Sequence, residues 1–92
     1  MYILKYSKSF KKDLKKYAKN NLEVIEELKK VLNLLILEKR IDDKYRNHRL
    51  KGELKNCFEC HIKPDVLLIY KIEKQELIIL LLRIGSHSDL LS

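Results

Sequence analysis

No apolar run in this 92-residue chain approaches the ~20 residues that a membrane-crossing helix needs, and the longest, residues 77–82, is strand-length. The N-terminal apolar piece is short and no small-residue cleavage site follows it, which reads against a secretory leader and for a cytosolic protein. There are only two cysteines, and in that compartment they are expected to stay reduced, so no disulfide scaffold is expected. One proline and two glycines leave little material for linkers, and neither internal repeat nor low-complexity segment occurs. With 46% apolar residues, residues 1–92 are expected to form a single domain around one modest core.

Charge of one sign is also scarce in one place. Residues 1–51 carry fifteen Lys/Arg against seven Asp/Glu, whereas residues 52–92 carry five against six. The net +7 therefore sits in the front half and suggests an anionic partner such as nucleic acid, an acidic protein or a membrane surface. A solvated, lysine-rich helix face would give the same composition.

Residues 2–6 form a short β-type run ending at Ser7. A helix is expected from Ser7 or Ser9, with Phe10, Leu14 and Tyr17 as its apolar stripe. Lys8, Lys11, Lys12, Lys15, Lys16 and Lys19 cover its other faces, and Asp13 is its only acid. Asn20 and Asn21 end it, and Asn20 with Glu23 has capping-box spacing for a second helix over residues 22–38. Val24, Ile25, Leu28, Val31, Leu32 and Leu35 form that helix's apolar face, and Glu26 with Lys30 is an i,i+4 pair. The two helices read as an antiparallel hairpin packed on a sheet. Residues 41–47 are a charged connector without periodicity, and residues 49–54 a short extended piece interrupted by Gly52. Residues 55–62, 66–73 and 76–84 are three antiparallel strands joined at Pro64-Asp65 and Lys74-Gln75, and residues 86–91 are a tail with room for one helical turn.

Strand parity sorts the polar groups. Cys57, Glu59 and His61 share one face, expected to be open, while Phe58, Cys60 and Ile62 share the other and should meet the helices. In the last strand Arg83 shares a face with Leu77, Ile79 and Leu81. An arginine in so apolar a strand is usually paired with a carboxylate or bound to an anion. Cys57-Phe-Glu-Cys60-His61 formally matches the haem-attachment pattern, but in a strand the two sulfurs point to opposite faces, which argues against haem, zinc and redox roles alike. Cys60 then reads as a small core hydrophobe and Cys57 as an exposed thiol. No histidine pair has a compact ligand spacing, so a metal site is not expected. Three histidines interleaved with Asp65 and Arg83 read better as a shared acid–base site.

The ordered set Tyr45-Arg-Asn-His48-Arg-Leu50-Lys-Gly52, Glu59-Cys-His61-Ile-Lys-Pro64-Asp65, Leu68-Ile-Tyr70-Lys and Arg83-Ile-Gly85-Ser-His87-Ser-Asp-Leu90 resembles the YafQ-like branch of the RelE/ParE toxin superfamily over nearly the whole chain. The resemblance implies an α+β fold of two N-terminal helices packed on a twisted, mainly antiparallel four- to five-stranded sheet. It implies the toxin half of a bacterial type II toxin–antitoxin pair: a cofactor-free endoribonuclease, or mRNA interferase, that cuts mRNA on the ribosome until a cognate antitoxin blocks it. It places the functional histidines at His48, His61 and His87, the aspartate at Asp65 and the basic residue at Arg83. Lys51, Glu59 and Leu91 become RNA-contacting positions, joined by Lys11, Lys12 and Lys15 from the basic helix. Val66 stands where many relatives carry tryptophan, Phe58 where many carry arginine, and Leu91 where a C-terminal aromatic helps seat the base.

RNA carries its own nucleophile, so its cleavage needs a base, an acid and a cation but no metal. Histidines can fill either proton-transfer role and an arginine can hold the phosphate; Asp65 is either a base or the orienter of a histidine. Two other readings stand beside this one: a ParE-like inhibitor of DNA gyrase, for which three histidines are not expected, and a non-catalytic RNA- or protein-binding module.

Overall fold

The computed structural model describes residues 1–19, 21–51 and 56–91. Ser7 organises the first turn by its own chemistry. Its Oγ accepts the Phe10 amide at 2.9 Å and donates to the Leu82 carbonyl at 2.8 Å, so one hydroxyl caps α1 (Lys8–Ala18) and ties it to the sheet. α2 (Leu22–Ile36) buries Val24, Leu28, Val31 and Leu35, with Leu32 half-buried beside them. Asn21 stands at its N-cap without a side-chain cap bond, and the Asn20 part of the expected capping box lies outside the described residues. The helix stops two residues earlier than its pattern suggests. Glu38 takes a left-handed φ of 57°, the Lys39 amide bonds the Leu34 carbonyl at 2.9 Å and the Glu38 amide bonds that of Leu35 at 3.1 Å. This is a Schellman ending built without glycine, which is why no sequence signal marked it. The expected Glu26–Lys30 pair is replaced by Lys30 with Glu27 at 3.5 Å.

Five strands lie in the order β1-β5-β4-β3-β2: β1 (Ile3–Tyr6), β2 (His48–Arg49), β3 (Cys57–Lys63), β4 (Val66–Glu73) and β5 (Ile78–Gly85). All neighbours are antiparallel except β1 and β5, which run parallel. β2 is shorter than the extended piece expected there, and Gly52, Leu54 and Lys55 lie outside the described residues. The tail forms α3 (His87–Leu91). Among the described residues no helix is long and apolar enough to cross a membrane.

The helix-facing side of the sheet supplies Cys60, Ile62, Val66, Leu68, Tyr70, Ile79, Leu81 and Ile84 to the main core. The opposite side is not open as expected. Cys57, Glu59, Leu67 and Ile69 on it are all buried, so Cys57 is no exposed thiol. Cys57 is in register with Lys71 of β4, and its carbonyl accepts the Leu50 amide at 2.9 Å on the other side. Gly85 lets α3 lie close on this side, since any Cβ there would meet Leu90 Cδ2 at 3.2 Å.

The connector before β2 is ordered although it has no periodicity. Asp42 accepts the Lys44 amide at 3.0 Å and starts a 3-10 turn, Asp43–Tyr45, that drives Tyr45 into the core. The Tyr45 hydroxyl donates to Glu27 Oε2 at 2.5 Å, and that of Tyr70 donates to Asn47 Oδ1 at 2.5 Å. The residues leading into His48 are thus pinned at two points. Burial, then the Glu27 bond, push the Tyr45 phenol up to about 12. The Tyr45 bond, followed by Lys30 and Lys44, holds the Glu27 carboxyl below its ordinary 4.5 against opposing desolvation.

Two outcomes follow for stability. Leu81 is fully buried at the point where β1 stops pairing, and Leu81→Ala should cost about 2–5 kcal/mol, read from urea unfolding at unchanged slope. Because the folded Glu27 pKa lies below the unfolded one, its stabilisation is present above pH 4.5 and is lost as pH falls through the folded value. Tyr45→Phe should therefore lower the melting temperature at pH 7 and progressively less as the pH falls below 4.5; a loss that does not change with pH would show that the phenol acts by packing alone.

Candidate active site

Cross-strand register builds one face from separated parts of the chain. His48 lies opposite Glu59, Glu59 opposite Ile69, and Ile69 opposite Arg83, so one row crosses four strands. The next row runs His61, Leu67, Gly85, with His87 two residues beyond. Leu67 and Ile69 make an apolar floor between the histidines of β2 and β3 and the cationic end of β5.

Arg83 reaches this face through an irregularity. Tyr70 pairs with Leu81 but Ile69 pairs with Arg83, leaving Leu82 as an extra residue. The bulge reverses the parity of everything after it, so Arg83 does not share the face of Ile79 and Leu81 as alternation predicted, but lies in register on the histidine side. The carboxylate partner expected for a strand arginine is present. Arg83 Nε donates to Asp13 Oδ2 at 2.7 Å and Nη2 to Oδ1 at 3.1 Å. That bond, above all, pushes the guanidinium pKa up, against a smaller opposing effect of burial.

Glu59 is the hub of the other side. It is 6% exposed, and its Oε1 lies 3.7 Å from His48 Nε2 and 3.6 Å from His61 Nε2. The His61 ring centroid is 6.5 Å from that of His48 and 6.0 Å from that of His87, so the three rings form a chain with His61 central. His48 Nδ1 is 2.9 Å from the Arg46 carbonyl, which can only accept. The hydrogen bond therefore assigns the proton to Nδ1 and, in the neutral ring, leaves Nε2 as a lone pair facing Glu59. His61 Nδ1 is buried with no hydrogen-bond partner among the described residues, a costly condition that natural proteins keep mainly where chemistry needs it.

The remaining expected positions are dispersed. Asp65 is exposed in the β3–β4 turn and, among the described residues, makes no ion pair or hydrogen bond with the histidines. Lys51 is exposed just past β2, and Leu91 closes the backbone of α3. Lys11, Lys12 and Lys15 are exposed on α1, whose neighbour Lys16 approaches Asp89 of α3 at 3.4 Å. The Asp89 carboxyl is held low first by its Ser86 hydrogen bond and then by Lys16. Parity put Glu59 on the right face but not as a buried bridge. Asp13 carried one signal, being the only acid on a lysine-covered helix. Among the described residues no three His, Cys, Asp or Glu side chains are placed to hold a metal ion.

Comparison with known proteins shows the family to which the chain belongs. Residues 2–92 match the family described as bacterial toxin of type II toxin-antitoxin system, YafQ. The mRNA interferase toxin YafQ of Escherichia coli strain K12 is 31% identical over 88 residues, covering 95% of this chain and 92% of that protein. The crystal structure of a metal-bound toxin from Helicobacter pylori superposes with a TM-score of 0.87 at 48% identity, covering 98% of this chain and 99% of the other. The toxin in the E. coli DinJ–YafQ complex superposes with a TM-score of 0.89 at 29% identity over 100% of both chains. The chain therefore belongs to the YafQ family of bacterial type II toxin–antitoxin toxins.

Proposed function

We propose that this toxin is an mRNA interferase that cleaves messages on the translating ribosome by metal-free acid–base chemistry. The observation that carries the reading is the convergence of His48, His61 and His87 on one face of the sheet, with the Leu82 bulge bringing Arg83 into register there. The E. coli relative's name as an mRNA interferase supports it.

The chemistry follows from the groups present. One histidine takes the proton of the RNA 2′-OH as that oxygen attacks the adjacent phosphorus. Another protonates the departing 5′-oxygen, leaving a 2′,3′-cyclic phosphate and a 5′-OH. His48, with Nε2 unprotonated in its neutral form, suits the first role when a substrate reaches it. His61, with neither ring nitrogen committed to a hydrogen bond, can serve either. Arg83 offers its remaining N–H groups to the phosphate oxygens, whose charge grows in the transition state. Asp65 enters only if RNA binding brings it toward the rings, as orienter or base. The H. pylori relative is metal-bound; the metal-free reading here rests on the RNA 2′-OH as nucleophile and on the histidines as its acid and base. As DinJ does with the E. coli toxin, a cognate antitoxin would complex this one.

His87 is exposed, so His87→Ala should leave the melting temperature unchanged while lowering message cleavage by a factor on the order of 10²–10⁴. His61→Ala should do the same to the rate. Mapping of 5′ ends should show undiminished cutting in excess EDTA once ribosome integrity is controlled for, and activity lost to chelation and restored by zinc would sink the metal-free reading.

The exposed lysines of α1 should hold phosphates without reading sequence. Changing Lys11, Lys12 and Lys15 together to Gln should reduce the slope of log K for ribosome binding against log salt by about 2, with the cut sites unchanged. An unaltered slope would return these lysines to the role of a solvated face.

A further inference from the structure

Asp13 has a role that the lysines around it conceal. Its carboxylate takes three donors at once: Arg83 Nε at 2.7 Å, Arg83 Nη2 at 3.1 Å and the Ile84 amide at 3.1 Å. It is only 16% exposed, although every other charged residue of α1 is a lysine. Arg83 itself is 41% exposed at the side chain, far more than its carboxylate partner. The paired edge of the guanidinium is therefore turned to α1, and the Nη1 group with the second Nη2 hydrogen is left unused by Asp13. A guanidinium held by two parallel bonds has its plane fixed, unlike an ammonium in the same place. The third bond, to Ile84, fixes the carboxylate relative to the backbone of the very strand that carries the arginine.

We propose that Asp13 is a positioning residue that fixes the plane of Arg83, so that the arginine's free N–H groups meet the scissile phosphate without reorganising. The inference rests on the reading of Arg83 as the phosphate-holding cation. Asp13 touches no reacting atom in this scheme and acts only through Arg83. An arginine free to rotate would still attract RNA by charge, so the loss should fall on the chemical step more than on binding.

The test is a double-mutant cycle on cleavage of a ribosome-bound message, with thermal melts for each protein. Asp13→Asn keeps an oxygen for the Ile84 amide and removes the charge; it is preferred to Asp13→Ala, which risks the fold. In the Arg83 background it should lower kcat on the order of tenfold with KM within about twofold. In the Arg83→Ala background the same change should lower kcat less than twofold, since there is no guanidinium left to orient. Equal losses in the two backgrounds would show that Asp13 serves the fold and not the arginine, and an unchanged kcat in the Arg83 background would also overturn the proposal. Arg83→Ala cleaving at the normal rate would overturn it differently, by removing the phosphate-holding role on which it rests.

Discussion

Beyond Leu81, β5 loses its parallel neighbour, and each backbone group on that edge must find a partner or face water. Helix α1 and its cap supply the partners. The Ser7 amide takes the Leu81 carbonyl at 3.0 Å and its hydroxyl takes that of Leu82; Asp13 accepts from Ile84, and the Tyr17 hydroxyl accepts from Ser86 at 2.9 Å. Four backbone groups between Leu81 and Ser86 are thus satisfied from one segment. The same contacts hold the bulge at Leu82, set Arg83 on the histidine side and lead the chain into the turn that presents His87. Tyr17 also donates to Asp89 of α3 at 3.4 Å, so the last helix is tied to the first. The candidate site therefore depends on a helix that contributes no histidine to it.

The two faces of the sheet obey different physics. The helix side is an apolar core whose largest fully buried members, Tyr70 and Phe10, have the ordinary role of filling volume. The other side buries a carboxylate, Glu59, whose nearest ionisable neighbours are two imidazoles just beyond hydrogen-bond distance. A carboxylate taken out of water without close partners costs stability, and so does an unpartnered imidazole nitrogen. Both costs occur within one cluster, where a fold selected only for stability would have placed leucine. Violations of the packing rules gathered at one place are what a functional site looks like from the side of the fold.

Most of the architecture was legible because its signals are periodic. The helical stripes of α1 and α2, and the alternation of Phe58, Cys60 and Ile62 against Cys57, Glu59 and His61, survive into the structure because the one shift in β3 register comes only after His61. The arginine was misplaced for the complementary reason. Residues 77–82 read as one unbroken apolar run, and an extra leucine at its end leaves no mark in composition. Glu38 in a left-handed turn was hidden because no glycine marks its Schellman ending, and Tyr45 in an aperiodic connector because it is fixed by a long-range partner, Glu27 at 2.5 Å. The ordered histidines could be listed from the sequence, but their bridging by Glu59 could not, since it depends on β2 pairing with β3.

Charge on α1 gains a second meaning once its geometry is fixed. A helix with lysines on most of its surface and one acid could be a simple solubility device, yet that acid is the residue turned toward the sheet. Its three donors come from β5, while Lys11, Lys12 and Lys15 are exposed to solvent. The helix is thus divided into a side that satisfies an edge and a side that presents positive charge. Were the acid elsewhere on the helix, it would weaken the positive field and leave both Ile84 and Arg83 without their acceptor. One carboxylate at position 13 avoids both costs. It also links the surface suited to meet an RNA backbone with the arginine suited to hold the bond being cut, through a single turn of helix.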